Sequence, residues 1–183
     1  PVGDEDYDTF GNAIAISGNG EVLAVGALGA TGDRGKSGVV RVYKSVAGEW
    51  NQLGSDIDGE AGSDNFGNSV SLSADGMTLA VGALDNDGAG NGAGHVRVYA
   101  FADNDWSQIG SDIDGERSGD QSGFSVSFSD NGNYVAIGAN ANDDGGNRAG
   151  HVRVFENIDN NWVQVGDDID GGDAGDESGY SVS

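Results

Sequence analysis

The chain has 183 residues, with 34 glycines, one proline and no cysteine, and its 31 acidic and 8 basic residues give a formal net charge of -23 at pH 7. This acidity repels phosphate backbones and anionic lipid headgroups, which argues against nucleic-acid partners and membrane-surface binding. The lack of cysteine excludes a disulfide scaffold and zinc-thiolate sites. No apolar run approaches the roughly 20 residues that span a bilayer, so no membrane insertion is expected.

The sequence repeats itself every 56 residues, with no insertions between copies. Segments reading SGVVRVY, AGHVRVY and AGHVRVF start at Ser37, Ala93 and Ala149. A fixed period in this range is typical of solenoids, propellers and arrays, in which each unit buries its apolar face against a neighbour. We therefore interpret residues 1–183 as a single repeat array. Its units are 10–65, 66–121, 122–177 and a partial fourth, 178–183.

The first two predicted strands of each unit lie on either side of a glycine turn. In strand one, Val70 and Leu72 alternate with serines, which is the two-residue period of a half-buried strand. The equivalent pairs in the other units are Ile14 with Ile16 and Val126 with Phe128. Strand two follows the turn at Asp75 and Gly76 with apolar residues on both faces, as expected for an inner strand covered on both sides.

Two further predicted strands complete the unit. Val96 and Val98 alternate with Arg97 and Tyr99 in strand three, and the segment DWSQIGSDI is predicted to form strand four. No stretch has the period of an amphipathic helix. Four antiparallel strands joined by glycine turns predict an all-β fold of β-propeller blades. Because propellers close with about four to eight blades, these units are either part of a larger propeller or an open array of four-stranded sheets.

The sequence motifs of the repeat resemble those of a known family. The segment FGNSVSLSADGMTLAVGA, followed by AGHVRVY, is similar to the FG-GAP repeat of integrin alpha-subunit β-propellers and their bacterial and algal relatives. The FG pair occurs at Phe10 and Phe66, whereas Ser122 and Ser178 replace the phenylalanine in the later copies. The resemblance implies an extracellular propeller, secreted or on a cell surface, that serves adhesion or matrix building.

One feature of that family is missing here. Its members carry an aspartate-rich calcium loop between strands one and two, whereas the matching segments of this chain are the tight hairpins SGNG, SADG and SDNG. Each hairpin supplies at most one carboxylate, while calcium takes about six to eight oxygen ligands. The family's calcium site is therefore not expected at these hairpins.

An acidic heptapeptide follows strand four in every unit. It reads GSDIDGE at 54–60 and at 110–116, and GDDIDGG at 166–172. Its two aspartates share one strand face, and a third aspartate follows six residues later. Paired carboxylates beside a glycine turn are candidate Ca²⁺ ligands, and the alternative is that they cap backbone N–H groups of the turn. The candidate ligands are Asp56, Asp58, Asp64, Asp112, Asp114, Asp120, Asp168, Asp170 and Asp176.

The loop between strands two and three is a second candidate site, for a cation, a ligand or a partner. Its acidic residues are Asp85, Asp87, Asp143 and Asp144. The first copy keeps only Asp33 and adds Arg34 and Lys36, so a shared cation site is disfavoured. Variable loops on a fixed scaffold are where partner specificity is expected.

The remaining residues of interest recur in register. His95 and His151 share one position, at which the first copy has Val39, and this favours a packing role over catalysis. Serines are abundant but lack a unique basic partner, so we expect no enzyme activity. Three tryptophans are candidates for stacking on sugars or for packing between sheets: Trp50, Trp106 and Trp162. Three arginines are expected to pair with the acidic turns of neighbouring units: Arg41, Arg97 and Arg153.

These observations favour a non-enzymatic, extracellular structural or adhesive repeat module of a cell surface, matrix or fibre. No cofactor is required by the sequence, and Ca²⁺ is the one candidate, acting as an aid to assembly. The expected partners are further repeats of a longer chain or other copies of this one, followed by glycans or surface proteins. Two alternatives remain open, a carbohydrate-binding propeller and the non-catalytic scaffold of a larger secreted hydrolase.

Overall fold

The computed structural model describes residues 8–33 and 35–183, whose regular secondary structure consists of three β-sheets. The first sheet contains β1 (Ala13–Ile16), β2 (Val22–Ala27), β3 (Val39–Val46), β4 (Glu49–Gln52) and β5 (Ile57–Asp58). The second contains β6 (Phe66–Leu72), β7 (Thr78–Ala83), β8 (His95–Ala102), β9 (Asp105–Gln108) and β10 (Ile113–Asp114). The third contains β11 (Ser125–Phe128), β12 (Tyr134–Ala139), β13 (His151–Ile158), β14 (Asn161–Gln164) and β15 (Ile169–Asp170). The all-β prediction is confirmed.

Each sheet lies within one of the three full units and has the same antiparallel order. In the second sheet β6 pairs with β7, β7 with β8, and β8 with both β9 and β10. β9 pairs with the end of β8 and β10 with its start, so the two short strands share one edge. No helix in the described part of the chain could cross a membrane.

Strand four is interrupted, which the sequence pattern did not predict. The segment read as one strand is divided into β9 and β10, with Gly110 between them at a φ of 76°. Gly54 and Gly166 have φ values of 79° and 75° at the equivalent positions. A left-handed residue turns the chain out of the sheet, so the heptapeptide leaves β9 and rejoins β8 further along.

The partial fourth unit forms no strand of its own. The sequence pattern predicts the start of a strand one at 178–183, but only an isolated bridge between Ser178 and Gly150 is present there. Strand one of a unit pairs with strand two of the same unit, and this unit contributes only its first residues to the chain.

The core lies between consecutive sheets. One apolar cluster joins β2 and β3 of the first sheet to β6 and β7 of the second, through residues such as Val22, Val40 and Leu79. A second cluster joins the second and third sheets through Val96, Ile137 and their neighbours. Strand two of the second sheet is buried on both faces as predicted, because this sheet is covered on one side by the first sheet and on the other by the third.

Backbone packs against backbone where one sheet meets the next, a contact that we call a junction. A Cβ atom placed on Gly82 would lie 2.1 Å from the carbonyl oxygen of Gly123 in the following unit. Gly26 with Gly67, and Gly138 with Gly179, repeat this approach. The glycine of the GA pair therefore faces the glycine of the next FG or SG pair, which explains why both motifs recur with the period.

Hydrogen bonds also cross each junction in register. At the hairpin turns, the N–H of Gly18 donates to the carbonyl of Ala74 at 2.8 Å, and the N–H of Ala74 donates to the carbonyl of Asp130 at 2.8 Å. The Asn68 side chain donates to the carbonyl of Phe124 at 3.0 Å, as Asn12 does to Asn68 at 3.2 Å. The sheets are thus joined by polar as well as apolar contacts.

Candidate functional site

Two equivalent clusters of polar side chains lie at the two junctions. The first cluster contains Glu60, His95 and Asp112, whose ligand atoms lie within 4.8 Å of one another. Glu60 is the last residue of one acidic heptapeptide, and Asp112 belongs to the next. His95 is the first residue of β8, which pairs with β10 immediately after Asp112. The cluster therefore combines consecutive copies of the heptapeptide around one imidazole.

The second cluster contains Glu116, His151 and Asp168 and has the same arrangement one unit later. His151 is the first residue of β13, and β15 pairs with that end of the strand. In the first copy the histidine position is occupied by Val39. The described residues contain these two clusters and no third one.

The histidines form the buried floor of the clusters. The side chains of His95 and His151 are each 1% exposed. The Nδ1 atom of His95 lies 3.6 Å from Asp112 Oδ2 and 3.9 Å from Glu60 Oε1, and neither ring nitrogen has a hydrogen-bond partner. Such orphaned polar atoms are rare in protein interiors, because each one costs desolvation energy. The sequence-based prediction of a packed histidine is confirmed as regards burial, but it did not include ring nitrogens without hydrogen-bond partners.

An arginine guanidinium bridges the two carboxylates of the first cluster. Arg97 Nη2 donates to Glu60 and to Asp112 Oδ2, the latter at 2.7 Å, and Nε donates to Asp112 Oδ1 at 2.9 Å. Partial burial alone would lower the pKa of Arg97, but its bonds to Asp112 and Glu60 outweigh this effect and raise it. Burial likewise opposes ionisation of Asp112 and Glu60, yet their hydrogen bonds from Arg97 and other donors lower both pKa values.

The corresponding arginine of the second cluster points elsewhere. Arg153 Nη2 donates to the backbone carbonyl of Asp114 at 2.7 Å, and Nη1 lies 3.6 Å from Glu116 Oε1. Asp168 accepts a hydrogen bond from Gln164 at 2.6 Å instead. The predicted pairing of arginines with a neighbouring unit's acidic turn is therefore present for Arg97 and Arg153, whereas Arg41 pairs with Asp56 of its own unit at 2.8 Å.

The buried imidazole of the first cluster predicts how the stability of the metal-free protein, kept in a chelator, depends on pH. Burial, followed by the charge of Arg97, lowers the pKa of His95 to about 4. Between pH 6.5 and 4 the unfolded chain then binds a proton that the folded chain does not, so this group reduces stability as the pH falls. We expect wild type to lose up to about 3 kcal/mol relative to His95→Val between pH 7 and pH 4, measured by urea denaturation.

The comparison with the valine variant isolates the histidine from the other titrating groups. Glu60, Asp112 and Arg97 are the charged groups near the ring and are kept in both proteins, and the first copy shows that valine suits this position. Stability curves of wild type and variant that run parallel over this pH range would contradict the prediction.

The nine aspartates predicted as calcium ligands are not gathered into sets of three. Among the described residues, the groups of three or more imidazole and carboxylate ligands are the two clusters, and these include only Asp112 and Asp168 of the nine. The other seven are not members of the clusters: Asp56, Asp58, Asp64, Asp114, Asp120, Asp170 and Asp176.

The third aspartate of each predicted set stabilises a turn. Asp64 is buried and accepts hydrogen bonds from the N–H of Ala61 at 3.1 Å and from Asn86 at 2.9 Å. Asp120 repeats these contacts with the N–H of Arg117 and with Asn142. Such contacts are those of the turn-capping alternative, and they tie the connection between units to the loop between strands two and three.

Three of the remaining aspartates, Asp58, Asp114 and Asp170, lie in the short strands β5, β10 and β15. Burial, and then the charge of Asp33, raises the pKa of Asp58, and burial with Asp112 and Glu60 raises the pKa of Asp114. Asp170 Oδ1 lies 3.9 Å from His151 Nδ1, and Asp176 accepts the N–H of Asp173 at 2.9 Å.

The acidic loop between strands two and three is occupied by internal contacts. Asp85 accepts a hydrogen bond from Asn65, and Asp144 pairs with Arg117. Asp87 and Asp143 accept backbone N–H groups of their own loops at 2.8 Å and 2.7 Å. These carboxylates are not gathered into a common cage, and the loops remain candidate partner surfaces.

Two of the three tryptophans pack against the preceding unit. Trp106 Nε1 donates to the carbonyl of Leu53 at 2.8 Å, and Trp162 Nε1 donates to the carbonyl of Ile109 at 3.2 Å. Trp50 lies on the first sheet and is the most exposed of the three. The contacts of Trp106 and Trp162 are those of the packing alternative, because their polar atoms are engaged with backbone.

The clusters combine residues that sequence reasoning had kept apart. His95 could have been placed near Asp112, since strands three and four of one unit pair. Glu60 could not, because it reaches the cluster from the preceding unit. The 56-residue step of the histidines and heptapeptides was the available signal.

Sequence comparison and structural comparison both bear on the family. A sequence model of the FG-GAP repeat matches residues 56–101. No curated protein matches the chain significantly. The sequence-based resemblance is therefore confirmed over residues 56–101.

Several solved structures are similar at low identity. Hydrazine synthase of Kuenenia stuttgartiensis has a TM-score of 0.53 at 12% identity, over 94% of this chain and 40% of that one. The periplasmic gluconolactonase PpgL of Pseudomonas aeruginosa has a TM-score of 0.54 at 15% identity, over 91% and 47%. Saccharomyces cerevisiae Sqt1 has a TM-score of 0.54 at 14% identity, over 89% and 36%.

These neighbours are β-propeller proteins, and at such identities the likeness concerns the fold alone. The chain spans less than half the length of each of them. Residues 56–101 match the FG-GAP repeat, and the three sheets have the fold of β-propeller blades.

Proposed function

We propose that this chain is a non-enzymatic structural or adhesive module of an extracellular protein, in which repeated sheets stack in register. The observation that carries the proposal is the recurrence of one set of contacts at both junctions. Glycine approach, turn hydrogen bonds and indole hydrogen bonds all join one unit to the next. Stability in such arrays comes from these nearest-neighbour interfaces.

The exposed face of the first sheet supports continued stacking. Ile14 and Ile16 on β1 are 67% and 60% exposed. Their equivalents Val70 and Leu72 on β6 are each 9% exposed, because they pack against the first sheet. The same surface is thus covered wherever another unit precedes it, and we assign the partner as a further repeat of this kind, from a longer chain or another copy.

The extracellular, non-enzymatic part of the proposal rests on the family and on the repetition. The chain carries an FG-GAP repeat, and its candidate sites recur in register. A catalytic centre needs one unique constellation, whereas recurring sites suit a scaffold. The strong acidity is compatible with a soluble protein in a medium rich in salt and divalent cations.

The proposal is tested by self-association of the purified chain. We expect multi-angle light scattering to show mass increasing with concentration, and electron microscopy to show end-to-end assemblies. The double substitution Ile14→Glu with Ile16→Glu should abolish this association, because it places charges on the face that meets a preceding unit. Circular dichroism should show that the variant retains its β-structure.

A matched control distinguishes this face from general surface hydrophobicity. Val46→Glu changes another exposed apolar residue, whose equivalents Ala102 and Ile158 are exposed in the other two sheets. This variant should associate like wild type. A chain that stays monomeric at high concentration, or a double variant that assembles normally, would contradict the proposal.

A further inference from the structure

The unpaired histidine nitrogens face the carboxylates of both clusters. In the first cluster His95 Nδ1 is 3.6 and 3.9 Å from its two carboxylate neighbours. In the second, His151 Nδ1 is 3.6 Å from Asp168 Oδ2 and also lacks a hydrogen-bond partner. These separations exceed a hydrogen bond, which measures about 2.7–3.2 Å for N–H to O. A buried donor or acceptor is thus held near two anions without bonding either.

The same separations suit ligands that share a metal ion. Zinc binds imidazole nitrogen and carboxylate oxygen at about 2.0–2.2 Å, so two ligands in a tetrahedral site lie roughly 3.4 Å apart. The observed distances of 3.6 and 3.9 Å need only small side-chain shifts to reach this value. Among the described residues, both groups of three ligands have this composition of one histidine and two carboxylates.

We propose that Glu60, His95 and Asp112, and equally Glu116, His151 and Asp168, bind a divalent transition metal such as Zn²⁺ at the junctions between sheets. One nitrogen and two oxygen ligands match the preferences of zinc and its neighbours, whereas calcium takes oxygen ligands in larger number. Water would complete the coordination. The sites share Asp112 and Asp168 with the predicted aspartate sets but combine residues of two consecutive heptapeptides with a histidine, and the inference does not rest on the proposed function.

The two arginines leave the carboxylates of the two clusters unequally available to a metal ion. In the first cluster Arg97 bonds both carboxylates, so a metal ion must displace a guanidinium. In the second cluster Arg153 donates to the carbonyl of Asp114 and lies 3.6 Å from Glu116 Oε1, but it does not bond Asp168, so only one carboxylate has a guanidinium beside it. We therefore expect the second cluster to bind zinc more tightly than the first.

Both clusters can be reached from solvent. Their carboxylate side chains are partly exposed, while the histidines close the inner side. A cleft of about 310 Å³, lined by residues that include Glu60 and Arg97, opens onto the first cluster. A hydrated ion can thus enter without unfolding of the junction.

A bound ion would link consecutive units. Glu60 is anchored to the first sheet, because the N–H of the preceding Gly59 donates to the carbonyl of Gly38 at 3.0 Å. His95 and Asp112 belong to the second sheet and its strand-four exit. The metal would therefore connect one unit to the next and raise the stability of the junction by mass action.

The experiment is a zinc titration of the full chain after removal of metals with a chelator. Isothermal calorimetry should show that the chain binds two zinc ions, one tightly and one more weakly. The chain has two histidines, one in each cluster, so histidine ¹H–¹⁵N spectra report on each site separately. We expect the His151 ring nitrogen signals to shift first and those of His95 to follow at higher zinc.

Substitution of each histidine shows which cluster binds which of the two zinc ions. Loss of an outer-shell partner alone costs about 10–100-fold in metal affinity, so His151→Val should weaken the tight site at least that much, and His95→Val the weaker one. Neither change alters the net charge while the histidine is neutral, so attraction of ions to the acidic surface is kept. Valine at this position in the first copy indicates that the fold accepts it.

A second pair of variants controls for general acidity. Asp168→Asn removes a carboxylate of the second cluster, whereas Asp167→Asn removes its neighbour, which is serine in the other two copies. Only the former should weaken zinc binding. Equal zinc binding by the His95→Val, His151→Val double variant, or unchanged histidine signals at saturating zinc, would overturn the proposal.

Discussion

We expect the substitution Gly82→Ala to lower the free energy of unfolding by about 3 kcal/mol or more, since overpacking a fixed backbone contact is strongly destabilising. The added methyl group would lie 2.1 Å from Gly123 O and 2.3 Å from Ser69 Oγ. These two atoms also share a hydrogen bond of 2.7 Å across the junction. Thermal denaturation should show a melting temperature roughly 6–12 °C below wild type.

Gly172→Ala is the matched control for this prediction. Gly172 has no positive φ, and its nearest neighbour to an added Cβ atom is an Asp176 oxygen at 3.7 Å, an ordinary contact. We expect its stability to remain within about 0.5 kcal/mol of wild type. If both alanine variants melted at the wild-type temperature, close glycine packing would not be what determines the spacing between sheets.

The second large effect is expected for Trp106→Ala, which should cost about 3–5 kcal/mol. The side chain is 9% exposed, packs at 5.3 Å between ring centroids on Phe101, and donates across the junction to Leu53. Removal leaves a cavity and an unpaired carbonyl at the same place. Urea denaturation followed by circular dichroism measures the loss.

Trp50 provides the comparison within the same chain. It occupies the equivalent position in the first sheet and is 36% exposed. Trp50→Ala should therefore change the unfolding free energy by less than about 1 kcal/mol. Equal losses for the two variants would mean that the tryptophan stabilises its own sheet and not the junction. A glycan array then tests Trp50 as a sugar-stacking residue, with no binding expected.

Much of the fold could be predicted because the signals are local and repeated. The alternation of Val70 and Leu72, and the two-sided burial of strand two, follow from side-chain period alone. The interruption of strand four at Gly110 was missed. Its left-handed backbone is a property of one residue inside an otherwise regular strand pattern, and glycine there admits both conformations.

The site was less accessible to sequence reasoning for a different reason. The heptapeptide was interpreted as a set of ligands within one copy, whereas the clusters take Glu60 from one copy and Asp112 from the next. That combination depends on how sheets pack, which no local pattern encodes. The capping alternative for Asp64 matches the structure, because turn chemistry depends only on neighbours in sequence.

The spacing of the junction contacts has a consequence for how such a chain can change in length. Four of the hydrogen bonds across junctions join residues separated by 53, 54, 56 and 57 positions, all close to one period. Loss or gain of one whole period leaves each of these pairings available to the next copy. Loss or gain of a single residue within a strand displaces all of them and turns the strand's inner side chains outward. A chain built this way can therefore differ in length by whole units while keeping these contacts at every junction.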